Sequence, residues 1–249
     1  MMNIKIKYSR TVVTATFTLL LILTSQIVEA ASSPPVLPPT ANAYGKNYAE
    51  WSAAWMKWVL PIPASVNPIL DNTGAFAAYG QSGKVWFLAG TTGTGAVPPV
   101  VRTITIPTGT SLFFPIVNYF WVNTPEFGDP AWSPAQEANA RAIIANVIDS
   151  ATGLSLEIDE LSVQNLDTFR FQSPVFWVKL PIDNIFGVTF LPGPHPGVAD
   201  GYWALLPPLS VGSHTIHFKG GFTVDGFSLD VTYHITVKPG HNVRVPLHH

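Results

Sequence analysis

The chain has 249 residues, of which 47% are hydrophobic and only 11% are charged, and it contains no cysteine. The lack of cysteine excludes disulfides, thiol catalysis, cysteine zinc sites and a lipoprotein anchor. The 13 basic and 15 acidic residues balance to a net charge of −2, and no run of lysine or arginine occurs. Nucleic-acid binding normally requires a basic patch, so we expect no nucleic-acid partner.

Residues 1–30 have the three parts of a signal peptide. Three basic residues precede an apolar stretch over 11–28, and Ala30 closes a cleavage site of small residues. The alternative is an uncleaved membrane anchor. Several threonines, a serine and a glutamine make the stretch a poor permanent span, since a membrane helix needs about 20 predominantly apolar residues. We therefore expect an exported protein, periplasmic or extracellular, with no membrane span after cleavage.

The remaining chain divides into a linker and one domain. Residues 31–43 are rich in proline and serine, which predicts an extended linker. Residues 44–249 are predicted to form a single β-rich domain, because their length suits one large all-β unit. Low charge, 23 prolines, 19 glycines and 12% aromatic residues also favour β architecture. Loss of the leader removes three basic residues and one acidic residue, which leaves a net charge of −4.

The first predicted element is an aromatic helix. Asn47 and Glu50 have the spacing of a capping box, and Pro61 forces the chain out of the helix after Leu60. At 100° per residue, one face collects Tyr48, Trp51, Trp55, Trp58 and Val59. This stripe is either core that covers a sheet or an exposed platform for a sugar or a membrane. Apolar faces seek burial, which favours core and makes the helix a lid on the β domain.

Strands follow, separated by turns and loops. The predicted strands cover 84–89, 100–106, 111–122, 154–158, 175–180, 201–206, 214–219 and 227–237. Pro115 interrupts an apolar run and must lie at a bend, bulge or edge, because it cannot donate to a sheet ladder. The last strand alternates apolar and polar residues without a break, and Asp225-Gly226 predicts a hairpin before it. Residues 186–200 are predicted to be a loop rich in proline and glycine.

A second helix is predicted between the strands. Ser133 suits the N-cap, Pro134 the first helical position, and Gln136 the capping box, and the helix should run to about Ser150. Its buried stripe comprises Ala140, Ile144, Val147 and Ile148. Glu137 and Arg141 are spaced to form an ion pair on the solvent-exposed face. The predicted fold is therefore mainly β: an antiparallel β-sandwich or jelly-roll-like domain with two covering α-helices.

Several segments resemble a family of uncharacterised exported bacterial and archaeal proteins. They are YGKNYAEWSAAWMKW, NPILDNTG, GQSGKVWFLAG, RTITIPTGTSLFFPIVN and DGYWALLPPLSVGSHTIHFKGG, which together span most of residues 44–221. The resemblance implies a compact exported domain with an aromatic-rich N-terminal helix and no established activity. It also implies cysteines near Ala77 and Ile104, and this chain has neither.

Acidic residues beside aromatic residues are the candidate ligand site. They are Trp121, Glu126, Asp129, Trp132, Asp200, Tyr202 and Trp203. In a sugar-binding cleft, aromatic rings stack on the sugar and carboxylates accept hydrogen bonds from its hydroxyl groups. The same residues equally suit loops packed by their own side chains. The sequence predicts a non-catalytic protein that binds an extracytoplasmic ligand or partner, with glycans among the candidates. The alternative is a secreted hydrolase that uses these loop carboxylates or a histidine metal site.

No cofactor and no metal are expected. His217 and His234 form the most plausible metal-binding pair, because both fall on polar faces of adjacent β segments. Solvent-facing strand histidines explain them equally well, and this second interpretation is favoured. Since no catalytic motif is present, we do not expect an enzyme.

Overall fold

A computed structural model describes residues 34–92 and 99–239, so the predicted signal peptide lies outside the described residues. The described part is mainly β, with two helices and ten strands. The helices are α1 (Tyr48–Val59) and α2 (Pro134–Ile148). The strands are β1 (Val85–Phe87), β2 (Val100–Pro107), β3 (Ser111–Val122), β4 (Ala151–Ile158), β5 (Leu161–Ser162), β6 (Arg170–Gln172), β7 (Phe176–Lys179), β8 (Pro194–Leu206), β9 (Gly212–Phe222) and β10 (Ser228–Lys238).

The strands form two five-stranded sheets. The first has the order β1-β3-β8-β6, with β7 also paired to β8, and the second has the order β2-β10-β9-β4-β5. Most pairs are antiparallel, as expected, but β1 pairs with β3 in parallel and so does β2 with β10. The chain leaves the first sheet after β1, forms β2 in the second sheet and then returns as β3. Such a crossover lets β1 and β3 run in the same direction.

Alternation along β3 divides the hydrophobic residues between two clusters. Leu112 and Phe114 point into a cluster that they share with the second sheet. Phe113 points to the other face, where it stacks on Trp203 and packs against α1. The first sheet is therefore the middle layer, because successive strand residues face opposite sides and both sides are covered. Ala77 and Ile104, where cysteines were expected in relatives, are buried in the first of these clusters.

Helix α1 begins at the predicted capping box. The backbone of Glu50 donates to the Asn47 side chain, and the backbone of Asn47 donates to the Glu50 side chain, both at 2.9 Å. The indoles of Trp51, Trp55 and Trp58 are only 8%, 2% and 8% exposed. Their N–H groups donate to the backbone carbonyls of Ala43, Leu88 and Tyr79. The core interpretation of the aromatic stripe is confirmed.

Helix α2 covers part of β8 and β3. Ser133 caps it by accepting from the backbone of Gln136 at 3.2 Å. The predicted capping box is wrong in its second half, because the Gln136 side chain is buried and donates to Asn123 instead. The buried stripe contains Ala140, Ile144 and Ile148 as predicted, while Val147 is only partly buried. The Glu137–Arg141 ion pair is present at 2.8 Å.

Strand β8 begins at Pro194, earlier than the predicted start at residue 201, so the loop prediction for its first half is wrong. Two prolines and Gly197 are typical of a loop, because proline has no N–H to donate to a sheet ladder, and they therefore led to the wrong prediction. Pairing is preserved through other groups: the Pro196 carbonyl accepts from Asn123 at 2.8 Å. This half of β8 is sandwiched between β3 and β7.

The described part of the predicted linker, residues 34–43, lies against the domain. Leu37 donates its backbone N–H to Leu205 of β8 at 2.8 Å and accepts from the Tyr48 hydroxyl at 2.6 Å. Val36 and Leu37 also pack against the hydrophobic clusters.

Candidate functional site: an open strand edge in an apolar groove

Strand β3 has very different partners on its two edges. Strand β8 accompanies it from Leu112 to Val122. On the other edge, β1 pairs only with Ser111–Phe113. Within residues 34–92 and 99–239, no strand continues this pairing. The second half of a twelve-residue strand therefore has an open edge, which proteins ordinarily cover or shorten.

Pro115 explains where the β1 pairing stops. The carbonyl of Phe113 accepts from Leu88, so residue 115 also faces the β1 edge. A residue with an N–H at position 115 would donate to the Leu88 carbonyl, but proline has none. The Leu88 carbonyl instead accepts from the Trp55 indole at 2.9 Å. The predicted edge or bulge at Pro115 is confirmed, since the register with β8 also shifts between Pro115 and Val117.

The register identifies which backbone groups are free. Backbone groups of successive strand residues point to opposite edges. Asn123 donates to Pro196 of β8, so Trp121 and Tyr119, counted back in steps of two, also face β8. The residues between them face the open edge: Asn118, Phe120 and Val122. No described strand pairs with β3 on this side beyond Phe113, and outside the ladders no hydrogen bond joins these N–H and C=O groups to another described residue.

A groove of about 620 Å³ runs along this edge, and we call it the β3 groove. Its floor is Asn118–Val122, one wall comes from α1 and segment 185–190, and the opposite wall comes from segment 222–229. Five consecutive strand residues contact the groove, although their side chains alternate between two faces. A cavity in contact with all five lies alongside the strand edge. Its volume is in the range of ligand sites.

Aromatic rings form much of the first wall. Phe186 lies 6.1 Å from Phe120 and 5.5 Å from Phe190 between ring centroids, both at steep angles. Phe127 closes the row at 5.6 Å from Phe190. Phe186 remains 39% exposed and Phe127 57% exposed. Large exposed rings in a concave site are typical of a surface that binds a ligand.

Only one charged side chain, Asp129, lines the β3 groove among the described residues. Its Oδ2 atom accepts from the backbone and the hydroxyl of Thr124, at 2.7 and 3.0 Å.

The indole N–H of Trp121, also in the lining, is buried without a hydrogen-bond partner in the described part of the chain. Lys219 lines a separate cavity of about 420 Å³ that shares Thr91, Phe227 and Leu229 with the groove.

Of the predicted ligand residues, Trp121 and Asp129 therefore line one cavity. Trp132 lies behind it, packed with Trp121 against α2. Tyr202 packs against the cluster between the sheets, and Trp203 is fully buried on the α1 side. The groove's other residues come from segments far apart in the chain, so no local sequence pattern could group them into one site.

Asp200 is fully buried in an ion pair. It accepts from the Nε and Nη2 atoms of Arg170 at 3.2 and 2.9 Å, and from Gln172 at 3.1 Å. The hydrogen bond to Asp200 is also the main reason that the pKa of Arg170 is raised, with Asp149 adding to it. These hydrogen bonds join β6 to β8.

Glu126 lies close to the groove but not in its lining. Its Oε1 atom accepts from Leu191 at 2.9 Å and lies 3.8 Å from His195. Burial acts to raise the pKa of Glu126, but backbone N–H donors and His195 outweigh it, so the pKa is lowered. A general acid in glycoside hydrolysis needs a raised pKa, which is the opposite shift.

The histidines of the predicted metal pair lie on one face of the second sheet. His217 pairs in register with Thr232, and His234 is two residues further along β10. The Nε2 atom of His217 is 2.8 Å from Asp230, while His234 is exposed. The described residues contain no group of three or more histidines and acids that could hold a metal ion.

Comparisons with known proteins give no family. No protein-family model and no curated protein matches this chain. A solved structure described as "Structure of PbICP-C in complex with falcipain-2" aligns at 12% identity over 63% of this chain and 100% of that chain, with a TM-score of 0.24. A score this low carries no argument about fold or partner. None of the described helices is long and apolar enough to cross a membrane.

Proposed function

We propose that the protein is an exported, non-catalytic binding protein, and that its ligand occupies the β3 groove. The two sheets that share a core supply a rigid, sandwich-like frame for this site. The observation that carries the proposal is the coincidence of an open strand edge with a groove of about 620 Å³ whose walls are mainly apolar. Exposed apolar concavities of this kind mark ligand and partner sites.

The lining favours an apolar ligand over a glycan. Sugar recognition uses several polar side chains that form hydrogen bonds with the sugar hydroxyl groups, and the groove has few polar side chains. They are Thr91, Thr92, Asn118, Thr124 and Asp129. Rings and aliphatic side chains make up most of both walls. Apolar surface buried on binding then supplies the main favourable free energy.

The neutral fluorophore N-phenyl-1-naphthylamine tests the proposal. Its emission should rise on binding at one site per chain, and Phe186→Ser should weaken binding by at least about fivefold, because the ring supplies wall surface. Ile182→Ser is the matched control: Ile182 belongs to the loop that leads to the same wall, is 91% exposed and does not line the groove. Absence of binding, or equal loss in both variants, would contradict the proposal.

A further inference from the structure

We propose that the ligand of the β3 groove is an extended peptide that pairs with Asn118–Val122 as an added strand. This inference rests on the proposed function and names the class of its ligand. Its starting point is the row of backbone groups on Asn118, Phe120 and Val122 that face the open edge and have no partner among the described residues.

The spacing of these groups selects an extended chain. Each of the three residues offers one N–H and one C=O to the same edge, and neighbours in the row are two residues apart. A second strand presents its own donors and acceptors at the same spacing. A compact apolar molecule would cover the edge and leave these groups unpaired, which costs free energy. An added strand pairs them and fills the groove at once.

The two walls determine which side chains the peptide carries. Residues of an added strand point alternately to the two faces of the sheet. One face meets the wall with Phe186 and Phe190, and the other meets Phe222, Phe227 and Leu229. Both walls are apolar, so the matching peptide has consecutive apolar residues rather than an alternating pattern. The five residues of the floor correspond to roughly 17 Å of strand.

Charge at the groove points to a neutral or basic peptide. Asp129 lies at the Val122 end, where it binds Thr124, and only its Oδ2 atom has a partner among the described residues. A lysine next to the apolar run would meet this carboxylate. Anionic ligands such as fatty acids would meet Asp129 with no basic side chain in the lining to offset it.

A folded second copy fits this site less well than a peptide. The open edge lies on the floor of the groove between two walls. A second copy would offer its own edge at the bottom of its own groove, so the walls would collide before the edges met. A single extended segment has no such walls.

Hydrogen exchange of the free protein is the first test. The amides of Asn118, Phe120 and Val122 should exchange fast, whereas those of Tyr119 and Trp121 should be protected by β8. Protection of all five amides in the free protein would mean that the edge is already paired, and would overturn the inference.

Peptide binding is the second test. The probe is a fluorescein-labelled peptide Lys-Val-Ile-Val-Ile-Val-Lys, and its control is the same peptide N-methylated at the five apolar residues. The first should displace N-phenyl-1-naphthylamine and slow exchange of the Asn118, Phe120 and Val122 amides. The control keeps the apolar surface but loses the donors, and should bind at least about tenfold more weakly.

A pair of protein variants isolates the backbone. Val122→Pro removes an N–H that faces the open edge and makes no bond to β8, whereas Val122→Ala removes side-chain surface and keeps the N–H. Peptide affinity should fall at least about fivefold more in Val122→Pro than in Val122→Ala. Equal affinities of the two variants would overturn the inference.

The outcomes separate this inference from the proposed function. Fluorophore binding without peptide binding, or equal affinity for both peptides, would leave the groove as a site for apolar molecules and overturn only the added strand. Dimerisation in sedimentation that Val122→Pro abolishes would assign the edge to a second copy and overturn the peptide. Absence of both ligands would overturn the proposed function as well.

Discussion

Arg102 is a fully buried charge that is held by carbonyl groups. Its guanidinium donates to the backbone carbonyls of Asp71, Ala89 and Gly90 and to the Tyr233 hydroxyl. Two of these carbonyls precede Thr91 at the groove. A single side chain therefore fixes the segment before β1 to the segment after it. Buried donors of this kind are costly to remove.

Arg102→Met should lower the free energy of unfolding by about 3 kcal/mol or more, because several buried carbonyls lose their donor. Urea denaturation measures the change. Arg102→Lys keeps the charge but not the planar fork, so its loss should be intermediate. A denaturation midpoint unchanged in Arg102→Met would contradict this role.

Helix α1 covers one face of the first sheet, and its indoles are part of the core. Trp55 is 2% exposed, stands edge-on to Trp58 and Trp203, and donates to Leu88. Trp55→Ala should cost about 3–5 kcal/mol, as large-to-small changes in cores do. Thermal and urea unfolding check it. An unchanged melting temperature would contradict the burial of the aromatic stripe in the core.

The same helix shows which elements a sequence predicts well. Its cap depends on Asn47 and Glu50, three residues apart, and its buried face on a period of 3.6, so local pattern suffices. The first half of β8 could not be predicted, because Pro194 and Pro196 give a loop signal that pairing with β3 and β7 overrides. The parallel pairing of β1 with β3 could not be predicted either, because it depends on a crossover of the chain between the two sheets.

One histidine should make the stability of the folded protein depend on pH. The ring of His214 lies 2.7 Å from the Asp159 carboxylate and 2.9 Å from the Ser210 carbonyl. Burial acts to lower the pKa of His214, but these two hydrogen bonds outweigh it, so the pKa lies above its usual value of 6.5. The folded state therefore binds this proton more tightly than the unfolded chain.

The sign of the effect follows from that difference. The contribution of His214 is complete below about pH 6.5 and disappears as pH rises through the folded-state pKa. The difference in unfolding free energy between the wild type and His214→Gln should therefore shrink between about pH 6 and pH 9. Urea denaturation across this range measures it. Asp159→Asn should remove most of the same pH dependence, and a constant difference would contradict the prediction.

The candidate site could be only partly predicted from the sequence. Trp121 and Asp129 were predicted because an acid beside a ring is a local signal. Asp200 and Trp203 carry the same signal, yet both are buried structural residues. The walls combine α1 with segments 185–190 and 222–229, and only the folded chain brings these together. The one earlier sign was Pro115, a proline within an apolar strand.

Pro115 has a further consequence, for the unfolded chain. The β3 segment SLFFPIVNYFWV is twelve residues long and nearly free of polar side chains, which is the composition of sequences that assemble into fibrils. A proline within such a run acts as a gatekeeper, because it removes a donor from any intermolecular ladder. Pro115 thus has two effects. In the native fold it ends the pairing with β1, and in the unfolded chain it interrupts the apolar run of β3 and so opposes aggregation.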